Sequence, residues 1–432
     1  MELSTAAIRE IYENKIGVAE LRKETYQNTQ DIDVITKPIK YEEFFLEYLL
    51  PNRPCILDTW ATDGWRSRKE WVLEDGQPDL EQIKTLFGGA TCPVANCSEV
   101  KYNAHVKNNI KFADFIDYLK DFHRKEDDRE CLYLKDWHFV RDFPAYKAYE
   151  TAVFFQSDWL NEFYDDQQDQ KDDYRFIYFG PQDSWTPLHA DVMLSYSWSA
   201  NVCGRKRWLL FPPGEEECMM SNLGQLAFDL NSPDMEDRKL YPRYGDVTRR
   251  LEVIQEAGQI IFVPSGWHHQ VFNLEDTISI NHNWLNGCNV DLCWEYVKRR
   301  LVDVQAEISD CREMDGWDGQ CQLILKAIGG INFAEFFRFL HVIGRHRVDI
   351  LKDTAGSDDC SKFHPRENMN IHNHVLFDLM QISKVISDML AIPEFLAAEQ
   401  EMTWECPSAA DFLSEVNAIV GAYTEEWRQG KS

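Results

Sequence analysis

The chain has 432 residues, enough for two or three domains of about 100–200 residues each. A hydrophobic fraction of 44%, with 14 Trp, 17 Tyr and 25 Phe, excludes general disorder. The formal net charge of −28 argues against a nucleic-acid partner, because phosphate binding needs clustered Lys and Arg.

Residues 1–30 read as a short polar helix and a linker, charged and periodic, without the apolar core of a leader peptide. Residues 41–50, YEEFFLEYLL, predict an amphipathic helix that stops at Pro51-Asn52-Arg53-Pro54. Cys55-Ile56-Leu57 follows as a short buried strand. Residues 65–87 carry more helix and end at Gly88-Gly89, and 111–121 has apolar positions at helical spacing. Cys92 and Cys97 flank Pro-Val-Ala-Asn with no second pair behind them. The 12 Cys therefore read as reduced, mostly buried thiols of a reducing compartment, the cytoplasm or else the nucleus. The runs 125–130 and 165–173 read as solvated loops.

From Tyr174 the pattern changes to short strands: 175–179, 188–198, 205–211, 250–255, 259–264, 267–273 and 277–284. Pro212-Pro213-Gly214, Ala257-Gly258 and Pro264-Ser265-Gly266 separate them, as in a sandwich or barrel. The Asp-, Pro- and Gly-rich insertion 215–247 is expected to cover one rim. Beyond Asn289 four helices are expected, at 290–309, 320–328, 333–352 and 373–390. His364, His372 and His374 read as surface histidines of a polar loop. No stretch reaches the ~20 apolar residues of a membrane span, so a membrane partner is not expected. Three regions result: a helical or mixed flank (1–135), a β core (136–290) and a helical C-terminal region (291–432).

The chemistry lies in the core. Thr186-Pro187-Leu188-His189-Ala190-Asp191 holds an H-x-D pair. On a strand, positions i and i+2 share a face, so His189 and Asp191 can grip one metal. A distant histidine completes a two-histidine, one-carboxylate set, which leaves coordination positions open as non-haem Fe(II) oxygenases require. Pro264-Ser265-Gly266-Trp267-His268-His269 supplies it, and His269 is preferred to His268 because Asn273 continues its face. In Gly204-Arg205-Lys206-Arg207-Trp208-Leu209-Leu210-Phe211, Lys206 shares a face with Trp208 and Leu210. Pointing inward, it would need an anion such as a dicarboxylate; otherwise it snorkels at a solvated strand start. Thr277, Ser279, Asn281 and Asn283 form one polar face, which meets either water or a polar cavity.

TPLHAD, GRKRWLLFPP and VPSGWHHQVFNLEDTISINHNW together closely resemble the jumonji-C (JmjC) Fe(II)/2-oxoglutarate oxygenases. The resemblance implies an α+β fold, a double-stranded β-helix of jelly-roll or cupin-like type between helical flanks. It implies His189, Asp191 and His269 as iron ligands. It sets Thr186 and Lys206 on the distal carboxylate of 2-oxoglutarate, Asn281 and Asn283 near cosubstrate and metal, and Tyr178 as a further cosubstrate contact. Ser199 stands where some relatives carry an asparagine beside the cosubstrate. With O2, such a site converts 2-oxoglutarate to succinate and carbon dioxide and hydroxylates a substrate C–H bond. SYSWSANVCGRKRWLLFPPGEEE resembles one branch, the lysyl hydroxylases of the eukaryotic translation termination (release) factor. The alternatives are an N-methyl-lysine demethylase, which shares the chemistry, and a non-catalytic cupin-like scaffold.

Overall fold

The computed structural model describes residues 1–101, 103–122, 130–167, 173–355, 369–402, 404 and 406–428. Two sheets face each other at its centre. The larger draws strands from the whole first two thirds of the chain: β1 (Asp33–Ile35), β2 (Cys55–Leu57), β3 (Thr91–Lys101), β4 (Ala104–Lys111), β5 (Leu132–Trp137), β6 (Arg175–Gly180), β8 (Tyr196–Cys203), β11 (Ile260–Val263) and β13 (Thr277–Trp284). Their order is β1-β2-β11-β8-β13-β6-β5-β3-β4. The smaller sheet, β10-β9-β12-β7, contains β7 (Trp185–His189), β9 (Lys206–Phe211), β10 (Leu251–Gln255) and β12 (His268–Asn273). Every pairing is antiparallel except β1 with β2. This is the α+β double-stranded barrel with helical flanks that the sequence leads one to expect.

Period-two alternation divides inside from outside. On β13, Ile278, Ile280 and Trp284 point outward into an aromatic core with Tyr196, Phe155 and Phe262. The opposite face, Thr277, Ser279, Asn281 and Asn283, lines the barrel interior rather than bulk water. One end of that interior is apolar, filled by Ile56, Trp208, Leu210, Ile261, Val263, Trp267 and Val271. The other end is polar and holds the site. The insertion 215–247 folds over the outer face of the smaller sheet, where Met219, Ala227, Leu230 and Met235 pack on Leu188, Leu209 and Phe211.

Three expectations need correction. Residues 188–198 are not one strand: β7 ends at His189 and a 3-10 turn, Val192–Leu194, intervenes before β8. Met193 and Leu194 there have φ of 53° and 50°, which no strand accommodates. Residues 91–111 form the β3–β4 hairpin, which the sequence reading omitted. His372 and His374 lie in the helix Met369–Met389 and are buried, not on a surface loop. His374 Nε2 meets Tyr41 Oη at 2.7 Å. His364 lies outside the described residues.

The expected C-terminal helices form at Val290–Glu307, Trp317–Gly329, Phe333–Ala355 and Met369–Met389, and two more follow at Pro393–Gln400 and Ala409–Arg428. Buried Arg347 ties this layer to the core. Its Nε donates to Asp378 Oδ2 at 2.7 Å, and its two terminal nitrogens donate to Glu162 of the helix Trp159–Asp166 at 2.8 Å.

Candidate metal and cosubstrate site

His189, Asp191 and His269 converge at the polar end of the barrel. One potential ligand atom from each lies within 4.8 Å of the others, and the two imidazole centroids are 4.3 Å apart. His269 comes from β12, where it pairs with His189 across the sheet. Asp191 does not share a strand with His189, as the sequence reading assumed. It caps the 3-10 turn, but its extended backbone (φ −63°, ψ 155°) preserves the same-side relation of positions 189 and 191.

Neighbouring groups hold each member in place. His189 Nδ1 meets Pro187 O at 2.8 Å, and His269 Nδ1 meets Trp267 O at 3.0 Å. Each Nδ1–H is spent on a carbonyl, which leaves Nε2 as a free lone pair. Burial, then His269, holds His189 down to about 3, so its imidazole stays neutral as a ligand must. Asp191 accepts from Ser197 Oγ at 2.7 Å on Oδ2 and from Asn283 Nδ2 at 2.8 Å on Oδ1. The turn that aims His269 is clamped from the N-terminal region. Asn52 Oδ1 accepts from Ser265 N at 2.9 Å, its Nδ2 donates to Ser265 O at 2.8 Å, and Trp267 Nε1 donates to Asn52 O at 3.0 Å.

Thr186 precedes His189 by an odd number of positions, so a regular strand would turn the two to opposite faces. A β-bulge removes the conflict: His189 pairs with His269 and Thr186 with Val271, one more residue on β7 than on β12. Both side chains therefore face inward. Thr186 and Asn273 contact the buried Tyr133 phenol. Tyr133 fits only because position 180 is glycine; a Cβ there would lie 2.5 Å from the Tyr133 ring.

Lys206 points into the same interior and is 2% exposed. Its ammonium donates to Ser279 Oγ at 2.8 Å and Tyr133 Oη at 3.4 Å, and no carboxylate of the described residues pairs with it. Burial, then Lys135, pulls it down to about 7. Lys135 is a second inward cation, buried and lacking any hydrogen-bond partner among the described residues. Its Nζ lies 5.4 Å from the Tyr133 ring centroid, and burial pulls it down to about 8. Lys206 has no counter-charge among the described residues, and Lys135 has only Asp136, which is shared with Lys107 and Tyr178; two desolvated ammonium groups so placed call for an anion. Ser199, opposite Asn281 in register, and Asn273 each keep a buried oxygen without a partner, Oγ and Oδ1. A dicarboxylate beside a divalent cation fits this donor set.

The remaining candidates divide. Asn281 Nδ2 reaches Ser279 Oγ at 3.2 Å, beside Lys206. Asn283 is occupied with Asp191. Tyr178 faces the interior, but its hydroxyl donates to Asp136 Oδ1 at 2.5 Å; its ring lies 5.8 Å from Lys206 Nζ. His268 takes the opposite face of β12, 3.9 Å from Glu216. The sequence reading missed Tyr133, Lys135 and Ser197. Ser197 was accessible from its two-residue spacing to Ser199; Tyr133 and Lys135 lie on β5, outside any motif.

Comparison with known proteins agrees with this geometry. Residues 41–289 match the model of the cupin-like domain family. The 2-oxoglutarate and iron-dependent oxygenase JMJD4 of Gallus gallus is 47% identical over 91% of this chain and 93% of its own length. The protein of that name in Homo sapiens is 44% identical, over 88% and 89%. The arginine-specific demethylase JMJ20 of Arabidopsis thaliana is 37% identical, over 84% and 80%.

Proposed function

Because this chain belongs to the JmjC-type, cupin-like 2-oxoglutarate and iron-dependent oxygenases, we propose that it hydroxylates a lysyl side chain of a protein, the eukaryotic translation termination factor. The observation that carries the oxygenase chemistry is the inward-facing, partly buried His–Asp–His cluster beside a buried lysine without a counter-charge. The choice of a lysyl substrate rests on the branch resemblance around residues 195–217 and on charge. The formal net charge of −28 favours a basic polypeptide.

In this reading His189, Asp191 and His269 hold the iron. When bound, iron and 2-oxoglutarate supply the oxidant, with decarboxylation to succinate and delivery of one oxygen atom of O2 to the substrate C–H bond. The chain supplies position and charge. Ser197 and Asn283 fix the Asp191 carboxylate. Lys206, Thr186 and Tyr133 bind the distal carboxylate of the cosubstrate. Asn281, Ser199 and Tyr178 line its flank, with Tyr178 braced by Asp136. Lys135 adds a second positive charge, and Trp208, whose ring centroid is 5.6 Å from that of His269, walls the pocket against water.

The test incubates the purified chain with Fe(II), 2-oxoglutarate, ascorbate and the release factor, then maps peptide masses. One added oxygen on a lysine is the expected result. The second reading, N-demethylation, is favoured by the demethylase name of the Arabidopsis relative. It predicts loss of a methyl group, with formaldehyde, from methylated peptides and no mass gain on unmodified ones. An absence of any succinate would leave the scaffold reading.

A further inference from the structure

Cys97 and Cys131 form a second cluster of reactive side chains, one the oxygenase chemistry does not use. In the antiparallel pairing of β3 with β5, Asn96 stands opposite Leu132, so the next position in the same register brings Cys97 across from Cys131. Cys97 N donates to Cys131 O at 2.8 Å. Residues in such a hydrogen-bonded cross-strand pair have Cα atoms about 5.5 Å apart and side chains on one face. A disulfide accepts Cα separations of about 4.4–6.8 Å, so the backbone already meets its requirement.

The side chains agree with the backbone. The two thiols face each other, and the neighbouring Cys131, more than any other contact, pulls Cys97 down to about 5 against its burial. The same contact and burial push Cys131 up. Cys97 Sγ donates to Trp185 O at 3.7 Å. His105 of β4, 7% exposed, has no hydrogen-bond partner on either ring nitrogen. Its ring stands edge-on to Trp185 at 4.7 Å and Phe228 at 5.3 Å, and its proximity lowers Cys97 further. Cys131 is partly exposed, which gives a small oxidant access, whereas Cys97 is buried.

We propose that Cys97 and Cys131 are a peroxide-reactive dithiol site. The Cys97 thiolate attacks the O–O bond of hydrogen peroxide, which breaks to give a Cys97 sulfenic acid and, with one proton, water. The Cys131 sulfur then displaces the hydroxyl as a second water, and the S–S bond closes. Two thiols lose two electrons and two protons, and one peroxide becomes two waters. The site lies behind the cosubstrate wall, since Cys131, just before β5, is two positions from Tyr133 and Trp185 precedes Thr186.

The test uses the full chain freed of iron by chelation, so that metal-driven oxidation does not contribute. It is treated with equimolar hydrogen peroxide, quenched with N-ethylmaleimide and mapped without reductant. The expected product is a peptide pair linked through 97 and 131, lighter by two hydrogens, formed before any other linkage and reversed by dithiothreitol. Cys131→Ala should prevent the link, leave thermal melting unchanged and slow iodoacetamide alkylation of Cys97 at pH 7 by about tenfold. Persistence of both free thiols while other cysteines oxidise overturns the proposal. So does Cys97 alkylation at the wild-type rate in Cys131→Ala.

Discussion

Replacement of Lys206 by methionine separates the stability of the barrel from its affinity for cosubstrate. Burial takes the Lys206 ammonium from an ordinary 10.5 down to about 7. The unfolded chain therefore holds this proton more tightly, and stability rises with pH between about 7 and 10.5. At pH 7 and below, the charged group burdens the folded state by about 4–5 kcal/mol. Methionine removes that burden and leaves two hydroxyls short of a donor, a loss of about 1–2 kcal/mol. The cosubstrate-free variant should melt a few degrees above the wild type at pH 6.5. With 2-oxoglutarate the order reverses. Truncating one partner of a buried charge pair costs about 2–5 kcal/mol, so half-saturation should rise at least ~30-fold. Thermal melting with and without 2-oxoglutarate, in Mn(II) to suppress turnover, measures both quantities. A variant that melts below the wild type in the absence of cosubstrate, yet keeps wild-type half-saturation, would refute the account of Lys206 as an ammonium held for an anion.

The same geometry sets further expectations. Asp191→Ala should abolish iron-dependent succinate formation, and a normal rate of succinate release would remove Asp191 from the ligand set. Asn283→Ala should weaken Mn(II) binding by about 10–100-fold, because Asp191 Oδ1 loses its donor; unchanged affinity in an electron paramagnetic resonance titration would contradict that. The half-saturation for 2-oxoglutarate should climb with pH, by up to roughly tenfold per pH unit above 7, as Lys206 and then Lys135, held near 7 and 8, lose their charges in the free protein. Lys206→Met should flatten most of that slope. Asp378→Ala removes the acceptor of buried Arg347 Nε and should destabilise the fold by about 3 kcal/mol, read as a lower denaturation midpoint.

The legible part of the molecule was the part where periodicity and chemistry coincide. The polar face of β13 and the Lys206–Trp208–Leu210 face of β9 could be read from alternation alone, because each strand carries its contrast in consecutive residues. The inward direction of Lys206 could not be settled that way, since a snorkelling lysine has the same local sequence. Thr186 illustrates a different limit. Its odd spacing from His189 contradicts period two, and only the bulge in β7, a property of the pairing with β12, reconciles them. Tyr133 and Lys135 alternate with Leu134, but β5 is short and nothing in it marks which face is inside. His372 and His374 looked like surface residues because their helix begins beside a polar run, and their burial depends on Tyr41 and other distant residues. The hairpin 91–111 has exposed positions along much of its length, so its burial contrast is weak.

The pairing of Ile56 with Ile261 has a consequence for how the chain is made. During synthesis β1 and β2 leave the ribosome long before β11 exists to receive them. Through that interval the nascent chain carries an unsatisfied strand edge flanked by apolar helices, a surface on which self-association competes with maturation. Expression yield should therefore depend on holdase chaperones and on the speed of elongation more than the equilibrium stability of the finished protein would suggest.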